Sequence, residues 1–126
     1  MLVLDSGGVS RLARRAQGAA ATIAVLEREG LWPPVVPSVV LVESVTGRQR
    51  SDANTNRFLK TCDVRELLPE RLARRAAELR SRARQGSAVD AIVVVTAEPD
   101  GTVLSSDPKD LRALALYSDG VQVLRA

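Results

Sequence analysis

The sequence contains no histidine and a single cysteine, Cys62. Without histidine, the Ser-His-Asp and Cys-His nucleophile systems are excluded, and so is every zinc site that uses imidazole. One thiol provides neither an intramolecular disulfide nor a cysteine metal motif, which is typical of a protein from a reducing compartment. Any catalysis by this chain must therefore use carboxylates, hydroxyls or arginines.

Aromatic residues are almost as scarce, since only Trp32, Phe58 and Tyr117 are present. The core must therefore be built from valine, leucine, isoleucine and alanine. Modules that bind single strands by stacking bases on aromatic side chains need more of these residues. An RRM-like or OB-like nucleic-acid module is thus disfavoured.

Long apolar runs are also missing from the sequence. The longest uninterrupted ones, such as 91–95, fall far short of the ~20 residues that a membrane helix requires. The N-terminal Met-Leu-Val-Leu-Asp has neither the basic region nor the apolar stretch of a signal peptide. We expect a soluble, cytoplasmic protein without a membrane segment.

Length and charge set the remaining limits. A chain of 126 residues with 45% hydrophobic residues can bury a core of its own, so residues 1–126 are predicted to form a single domain. The net charge is +3, and 16 of the 18 basic residues are arginine, which suits bidentate contacts with phosphate. Nucleotide bias in the source genome explains the same composition, so charge alone does not establish a polyanionic partner.

The apolar pattern predicts strands that alternate with helices. Strands are predicted at 2–4, 35–36, 64–68, 102–105 and 121–124, with a glycine-containing turn at 5–8. Helices are predicted at 9–16, 19–29, 39–45 with Ser38 as N-cap, 51–60, 70–85, 88–97 and 107–116. This alternation indicates an α/β fold with a mostly parallel central sheet flanked by helices.

Two acids follow predicted strands directly. Asp5 comes after the first strand and Asp107 just after the strand 102–105. In α/β sheets, ligands bind at the carboxyl ends of the strands, so these carboxylates are expected at one edge. Each acid also has a structural interpretation, because Asp5 can cap the following turn and Asp107 can cap a helix. The sequence leaves both interpretations open.

Two further acids lie in apolar helices. Glu43 stands in a run of valines and leucine, where a carboxylate needs an explanation; an exposed face or a pair with Arg48 or Arg50 would provide one. Asp90 begins the helix 88–97, where a capping box with Ser87 is a sufficient structural reason.

Convergence of these acids would have a chemical consequence. Mutual repulsion raises the pKa of clustered carboxylates unless a cation neutralises them. Oxygen ligands without histidine or cysteine select Mg²⁺ or Mn²⁺ over Zn²⁺. Such an ion supports phosphodiester hydrolysis, because it activates water and stabilises the charge that develops on phosphate.

The order of these motifs resembles a PIN domain, and more narrowly the VapC-type toxins of bacterial type II toxin–antitoxin systems. The resemblance covers essentially the whole chain. It rests on Asp5 after the first strand, Pro-Ser-Val-Val-Leu-Val-Glu at 37–43, Asp-Ala-Ile at 90–92 and Ser-Ser-Asp-Pro-Lys-Asp-Leu at 105–111. The last motif, with the apolar strand before it, is the most specific.

The resemblance implies a PIN-like α/β/α sandwich and a Mg²⁺- or Mn²⁺-dependent endoribonuclease toxin. It also implies a homodimer that is inhibited by a small cognate antitoxin. By matching position, the catalytic and metal-binding acids would be Asp5, Glu43, Asp90 and Asp107. Ser106 matches a small polar residue near the metal and is a secondary candidate, whereas we interpret Asp110 as a helix-start residue.

Gly7 departs from the family pattern. The family usually carries a hydroxyl or amide side chain two residues after its first acid, and Gly7 has none. A catalytically weak or inactive PIN-like module that binds RNA or protein therefore stays as an alternative. An aspartyl-phosphate phosphatase is disfavoured, because it would need an acid at the same position.

The helix 70–85 is rich in arginine. Arg71, Arg74, Arg75 and Arg82 can share a face at three- and four-residue spacing. A face that follows the phosphates of a nucleic acid and an ordinary solvated surface are both consistent with this pattern.

Overall fold

The computed structural model describes residues 1–14 and 18–126. Within them, five strands and seven α-helices alternate as the sequence predicts. The strands are β1 (Leu2–Leu4), β2 (Val35–Pro37), β3 (Asp63–Arg65), β4 (Thr102–Ser105) and β5 (Gln122–Arg125). The helices are α1 (Ser6–Ala13), α2 (Ala19–Arg28), α3 (Leu41–Ser44), α4 (Ala53–Leu59), α5 (Glu70–Ala83), α6 (Ala88–Ala97) and α7 (Lys109–Ala115).

All strand pairs are parallel, in the order β3-β2-β1-β4-β5. The α/β fold with a parallel central sheet is therefore confirmed. Strand β1 is buried over its whole length, and β4 is nearly so, as expected for central strands that are covered on both faces. The chain runs outward from β1 to β3 and then returns to β4 beside β1, so the strand order diverges between β1 and β4.

Helices pack in two groups on the sheet. Helix α1 contacts α2, α3 and α4, whereas α6 contacts α5, α7 and the three central strands. Right-handed crossovers in opposite directions place these groups on opposite faces. Helix α6 is apolar almost all round because it lies between the sheet and α5. No helix in residues 1–14 and 18–126 combines the length and apolarity needed to cross a membrane.

The segment after β1 differs from the prediction. Residues 5–8 form no separate turn, because α1 already begins at Ser6. Gly8 is needed for close packing, since a Cβ there would overlap the carbonyl oxygen of Leu104 in β4. The predicted helix 9–16 is observed up to Ala13, and its last two residues, 15 and 16, lie outside the described part of the chain.

The region around Glu43 also differs. A 3-10 turn at Ser38–Val40 and the short α3 replace the single predicted helix, and Ser38 lies inside the turn without capping it. The 3-10 turn continues directly into α3, and the β-branched valines of this stretch are poor helix formers, which favours a short element. The predicted strand 64–68 is shorter too: β3 ends at Arg65, and Leu67 is 86% exposed.

Asp52 holds the loop that follows α3. Its buried carboxylate accepts hydrogen bonds from the amides of Thr46 (2.9 Å) and Gly47 (2.8 Å) and from the Thr46 hydroxyl (3.0 Å). These donors, the Thr46 amide above all, lower the pKa of Asp52. The loop is thus fixed by an ionised carboxylate.

Asp52 should make the stability depend on pH. Because its pKa is lowered in the folded protein, the ionised carboxylate contributes stability that is present above the unfolded-state value of 3.8 and is lost as pH falls below it. We expect Asp52→Asn to destabilise the protein at pH 7 and to flatten the decline toward acid. Urea unfolding between pH 3 and pH 7 measures both effects; parallel pH curves for the two proteins would contradict the assignment.

Candidate acidic site at the carboxyl edge of the sheet

Asp5 lies where the strand order diverges. Its Oδ1 accepts a hydrogen bond from the Gly8 amide (2.7 Å) and thereby caps α1. Its Oδ2 accepts one from the hydroxyl of Ser105 (2.5 Å), which is fully buried at the end of β4. The same hydroxyl accepts a hydrogen bond from the Asp107 amide (3.0 Å). One carboxylate oxygen of Asp5 therefore caps α1, and the other is hydrogen-bonded to Ser105 of β4.

The environment of Asp5 opposes its ionisation. Burial, the largest effect, raises the pKa of this carboxyl, and the negative charge of Asp90 raises it further. Hydrogen bonds from Ser105 and from the amides of Gly8 and Gly7 act in the opposite direction without cancelling the rise. A cation at this position would favour the ionised form.

Asp90 is positioned by the predicted capping box. The Asp90 amide donates to the Ser87 hydroxyl (3.0 Å), and Oδ2 of Asp90 accepts from the Ser87 amide (3.1 Å). Asp90 is partly buried, and its charge acts on Asp5. The structure therefore places the predicted acids Asp5 and Asp90 close enough for their negative charges to repel each other.

The carboxylates of Asp107 and Glu43 are exposed. Helix α7 has Pro108 at its cap position and no side-chain capping bond, so the capping interpretation of Asp107 is wrong. Glu43 forms no ion pair with Arg48 or Arg50 in the described residues and lies on an exposed face.

No group of three or more Asp, Glu, His or Cys side chains within residues 1–14 and 18–126 is arranged to hold a metal ion. The negative charge of Asp90 acts on Asp5 and raises its pKa. The Ser105 hydroxyl connects Asp5 to the backbone amide of Asp107. It gives no contact of Glu43 with these acids in the described part of the chain. Metal binding by the four acids stays a prediction.

Gly7 faces Ser106 across the site. A Cβ on Gly7 would overlap the Ser106 hydroxyl and would lie 2.9 Å from the Ser106 amide nitrogen. The hydroxyl of Ser106 thus occupies the space that a side chain at position 7 would need. Sequence reasoning missed this relation because nothing local connects two residues that lie so far apart in the chain.

Arg125 is a further residue that sequence reasoning missed. It ends β5 opposite Ser105, and its Nη1 donates a hydrogen bond to the carbonyl oxygen of Ser106 (3.1 Å). Its side chain is therefore anchored beside Asp107 while it stays exposed. The rule that strand ends face the site could have identified Arg125.

The arginines of α5 are mostly engaged in ion pairs. Arg74 pairs with Glu70, Arg82 pairs with Glu78, and Arg75 pairs with Glu78 and Glu98. Arg71 instead lines a cleft of about 510 Å³ between the loop after β3, α5 and α6. Of these ion pairs, only Arg75–Glu98 is mostly shielded from solvent, so the more exposed pairs of Arg74 and Arg82 contribute little to stability.

Cys62 does not provide a nucleophile. It is half-buried, and burial raises the pKa of its thiol to about 11. At neutral pH it is therefore protonated and unreactive.

Gly7→Ala should destabilise the protein by about 1–3 kcal/mol, the usual range for an overpacked position. The double variant Gly7→Ala, Ser106→Gly should recover part of this loss, because it removes the hydroxyl that the new methyl group meets. A double-mutant cycle by urea unfolding, with Ser106→Gly alone as the fourth corner, measures the coupling. Additive effects would contradict the contact.

Asp5→Asn should raise the melting temperature at pH 7. The raised pKa of Asp5 means that its contribution to stability is present below the unfolded-state value of 3.8 and is lost as pH rises through the folded-state value. The advantage of Asn should accordingly vanish in acid. Thermal unfolding at pH 4 and pH 7, with exposed Asp110→Asn as control, tests this; a lower melting temperature at pH 7 would refute it.

Comparison with known proteins identifies the fold. No family model matches the chain, and no curated protein matches it. A chain in the structure of FitAB bound to an IR36 DNA fragment is similar in fold, with a TM-score of 0.65 and 19% sequence identity. The match covers 99% of this chain and 94% of that chain. At this level of identity the similarity concerns the fold, and it confirms the PIN-like α/β/α architecture that the sequence predicts.

Proposed function

We propose that the chain is a Mg²⁺- or Mn²⁺-dependent endoribonuclease and the toxin component of a type II toxin–antitoxin system. The observation that carries the proposal is the state of Asp5. This carboxylate lies where ligands bind in parallel sheets, is largely buried, and is repelled by Asp90. Groups with perturbed ionisation at such a position are typical of catalytic sites.

The donor set suits a hard divalent cation. The side chains near Asp5 offer carboxylate and hydroxyl oxygens, and the chain contains no histidine. Asp5 and Asp90 would hold the ion, with Asp107 and Glu43 as the further ligands that the motif resemblance assigns. Such an ion, when bound, activates water and neutralises charge on the phosphate and its leaving oxygen.

The chain's own residues orient these ligands. Ser105 and the Gly8 amide fix the two oxygens of Asp5, and the Ser87 capping box fixes Asp90. Ser106 is an exposed residue whose hydroxyl would donate a hydrogen bond to a substrate phosphate. A site held in this way before substrate arrives loses little free energy to reorganisation during the reaction.

The substrate and partners rest on the resemblance to VapC-type toxins. The net charge of +3 and the arginine-rich surface support a polyanionic substrate, for which we propose RNA. The similar fold occurs in FitAB, which was bound to DNA in that structure. We propose that this chain likewise works in an assembly, as a homodimer inhibited by a cognate antitoxin in the cytoplasm.

A second candidate function is a PIN-like module that binds RNA or protein with weak or no catalysis. It is favoured by the lack of three converging acids in the described residues and by the missing side chain at Gly7. It predicts binding that does not require a divalent cation.

Cleavage of total RNA by the purified chain tests the proposal. We expect fragments with Mg²⁺ or Mn²⁺ and none with chelator. Asp5→Asn and Asp90→Asn should lower the rate by about 100-fold or more, since even residues that only touch metal ligands contribute 10- to 100-fold. Asp100→Asn is the matched control, because Asp100 lies before β4 at the opposite edge and has a left-handed backbone (φ 59°) that Asn tolerates.

Three outcomes separate the candidates. Loss of cleavage in the two site variants, with full activity in Asp100→Asn, supports the nuclease. Retained cleavage in both site variants rejects this site. RNA binding by the folded wild-type protein without cleavage at any Mg²⁺ or Mn²⁺ concentration supports the binding module.

A further inference from the structure

The register of the sheet places one residue from each strand in a single row at the carboxyl edge. Pro37 of β2 pairs with Arg65 of β3, and Ser105 of β4 pairs with Arg125 of β5. Leu4 pairs with Leu104, so the next residue, Asp5, lies opposite Ser105, as their hydrogen bond confirms.

The pairing of β1 with β2 gives the position of Pro37 in this row. Val3 pairs with Val35, and two residues further along each strand this aligns Asp5 with Pro37. The row therefore reads Arg65, Pro37, Asp5, Ser105 and Arg125. It begins and ends with an arginine on the two outermost strands and has the acidic site at its centre.

Both arginines are oriented and still have donors to offer. Arg125 uses Nη1 for the Ser106 carbonyl oxygen, and Arg65 uses Nε for the Asp63 carboxylate (2.9 Å). The Arg65 side chain is 47% exposed, and an ion pair this exposed is weak, so phosphate can compete with Asp63. A guanidinium has five N–H donors, which leaves several on each for a ligand.

The distance of the two arginines from Asp5 suits a nucleic-acid strand that crosses the carboxyl edge of the sheet. Neighbouring strands lie about 4.8 Å apart, so each arginine backbone is about 10 Å from that of Asp5. The Arg125 side chain turns toward Ser106, and the Arg65 side chain turns toward Asp63 on its own strand. An acidic centre repels a polyanion, and cations on both sides of it offset that repulsion.

We infer that this row is the path of the RNA strand. The strand crosses the carboxyl edge perpendicular to the β-strands, with the phosphate to be cleaved at Asp5. The flanking phosphates contact Arg65 on one side and Arg125 on the other. The inference rests on the proposed function and adds to it the two residues that bind the substrate and the direction of the strand.

Binding of a short single-stranded RNA, measured by fluorescence anisotropy at several salt concentrations, tests the path. The protein carries Asp5→Asn to prevent cleavage, and Arg65→Gln and Arg125→Gln are added separately and together. Each should weaken binding and lower the slope of log K against log salt by about 0.7, the value for one phosphate contact on a single strand. Arg28→Gln is the matched control, because Arg28 is an exposed arginine at the end of α2, before β2 and the amino edge.

A chemical substitution locates each contact. An RNA with one neutral methylphosphonate linkage, moved stepwise along the strand, should bind more weakly when that linkage meets either arginine. Arg65→Gln should abolish the effect at one position and Arg125→Gln at another, on opposite sides of the cleavage position. Binding of both variants like Arg28→Gln would overturn the inference.

The results also separate the path from the proposed function. Cleavage by the wild-type protein with unchanged binding of both arginine variants rejects the path and keeps the nuclease. Position-specific loss of binding without any cleavage keeps the path and rejects the nuclease. Absence of both cleavage and salt-dependent RNA binding rejects the two together.

Discussion

The hydrogen bond between Asp5 and Ser105 is the constraint on which the rest of the site depends. It joins the ends of the two central strands, whose residues are 100 positions apart in the sequence. Because Asp5 also caps α1 and Ser105 also accepts from the Asp107 amide, this one bond fixes three segments relative to each other. The Ser106 carbonyl then anchors Arg125, which extends the arrangement to the outermost strand.

The surroundings of Asp52 and Asp5 shift the pKa of these two carboxyl groups in opposite directions. Asp52 accepts several hydrogen bonds in a loop, and they lower its pKa, so it stabilises the fold when ionised. Asp5 is also hydrogen-bonded, but burial and the charge of Asp90 prevail and raise its pKa. Hydrogen-bond donors make ionisation of a carboxyl group stabilising at Asp52, whereas burial and a neighbouring negative charge make it destabilising at Asp5.

Much of the fold follows from local patterns. The apolar runs of β1 and β4 predict buried parallel strands, and Ser87 with Asp90 predicts the capping box that is observed. Because parallel strands share a carboxyl edge, the pattern also places Asp5 next to the end of β4. These inferences succeed because each depends on a short stretch of sequence and one general rule.

The remainder depends on packing between distant segments. Glycines after β1 predict a turn, yet they lie inside α1, and they are glycines because β4 and Ser106 leave no room for side chains there. Arg125 directly follows a predicted strand, whereas Arg65 lies within one and reaches the carboxyl edge only because β3 ends at this residue. Glu43 looked unusual in an apolar helix, but the helix is short and its carboxylate faces solvent.

The pairing of β1 with β4 also determines when the site can form during synthesis. Strand β1 is made before its partner β4, and the Asp107 segment is complete only after residues 102–107 have been translated. Contacts between strands that are far apart in the sequence form more slowly than local contacts, since a long loop must close first. A nascent chain that has not yet reached residue 90 therefore carries Asp5 without Asp90 and without its Ser105 partner. Asp5 can thus meet both Asp90 and Ser105 only after the 100 residues that follow it have been translated.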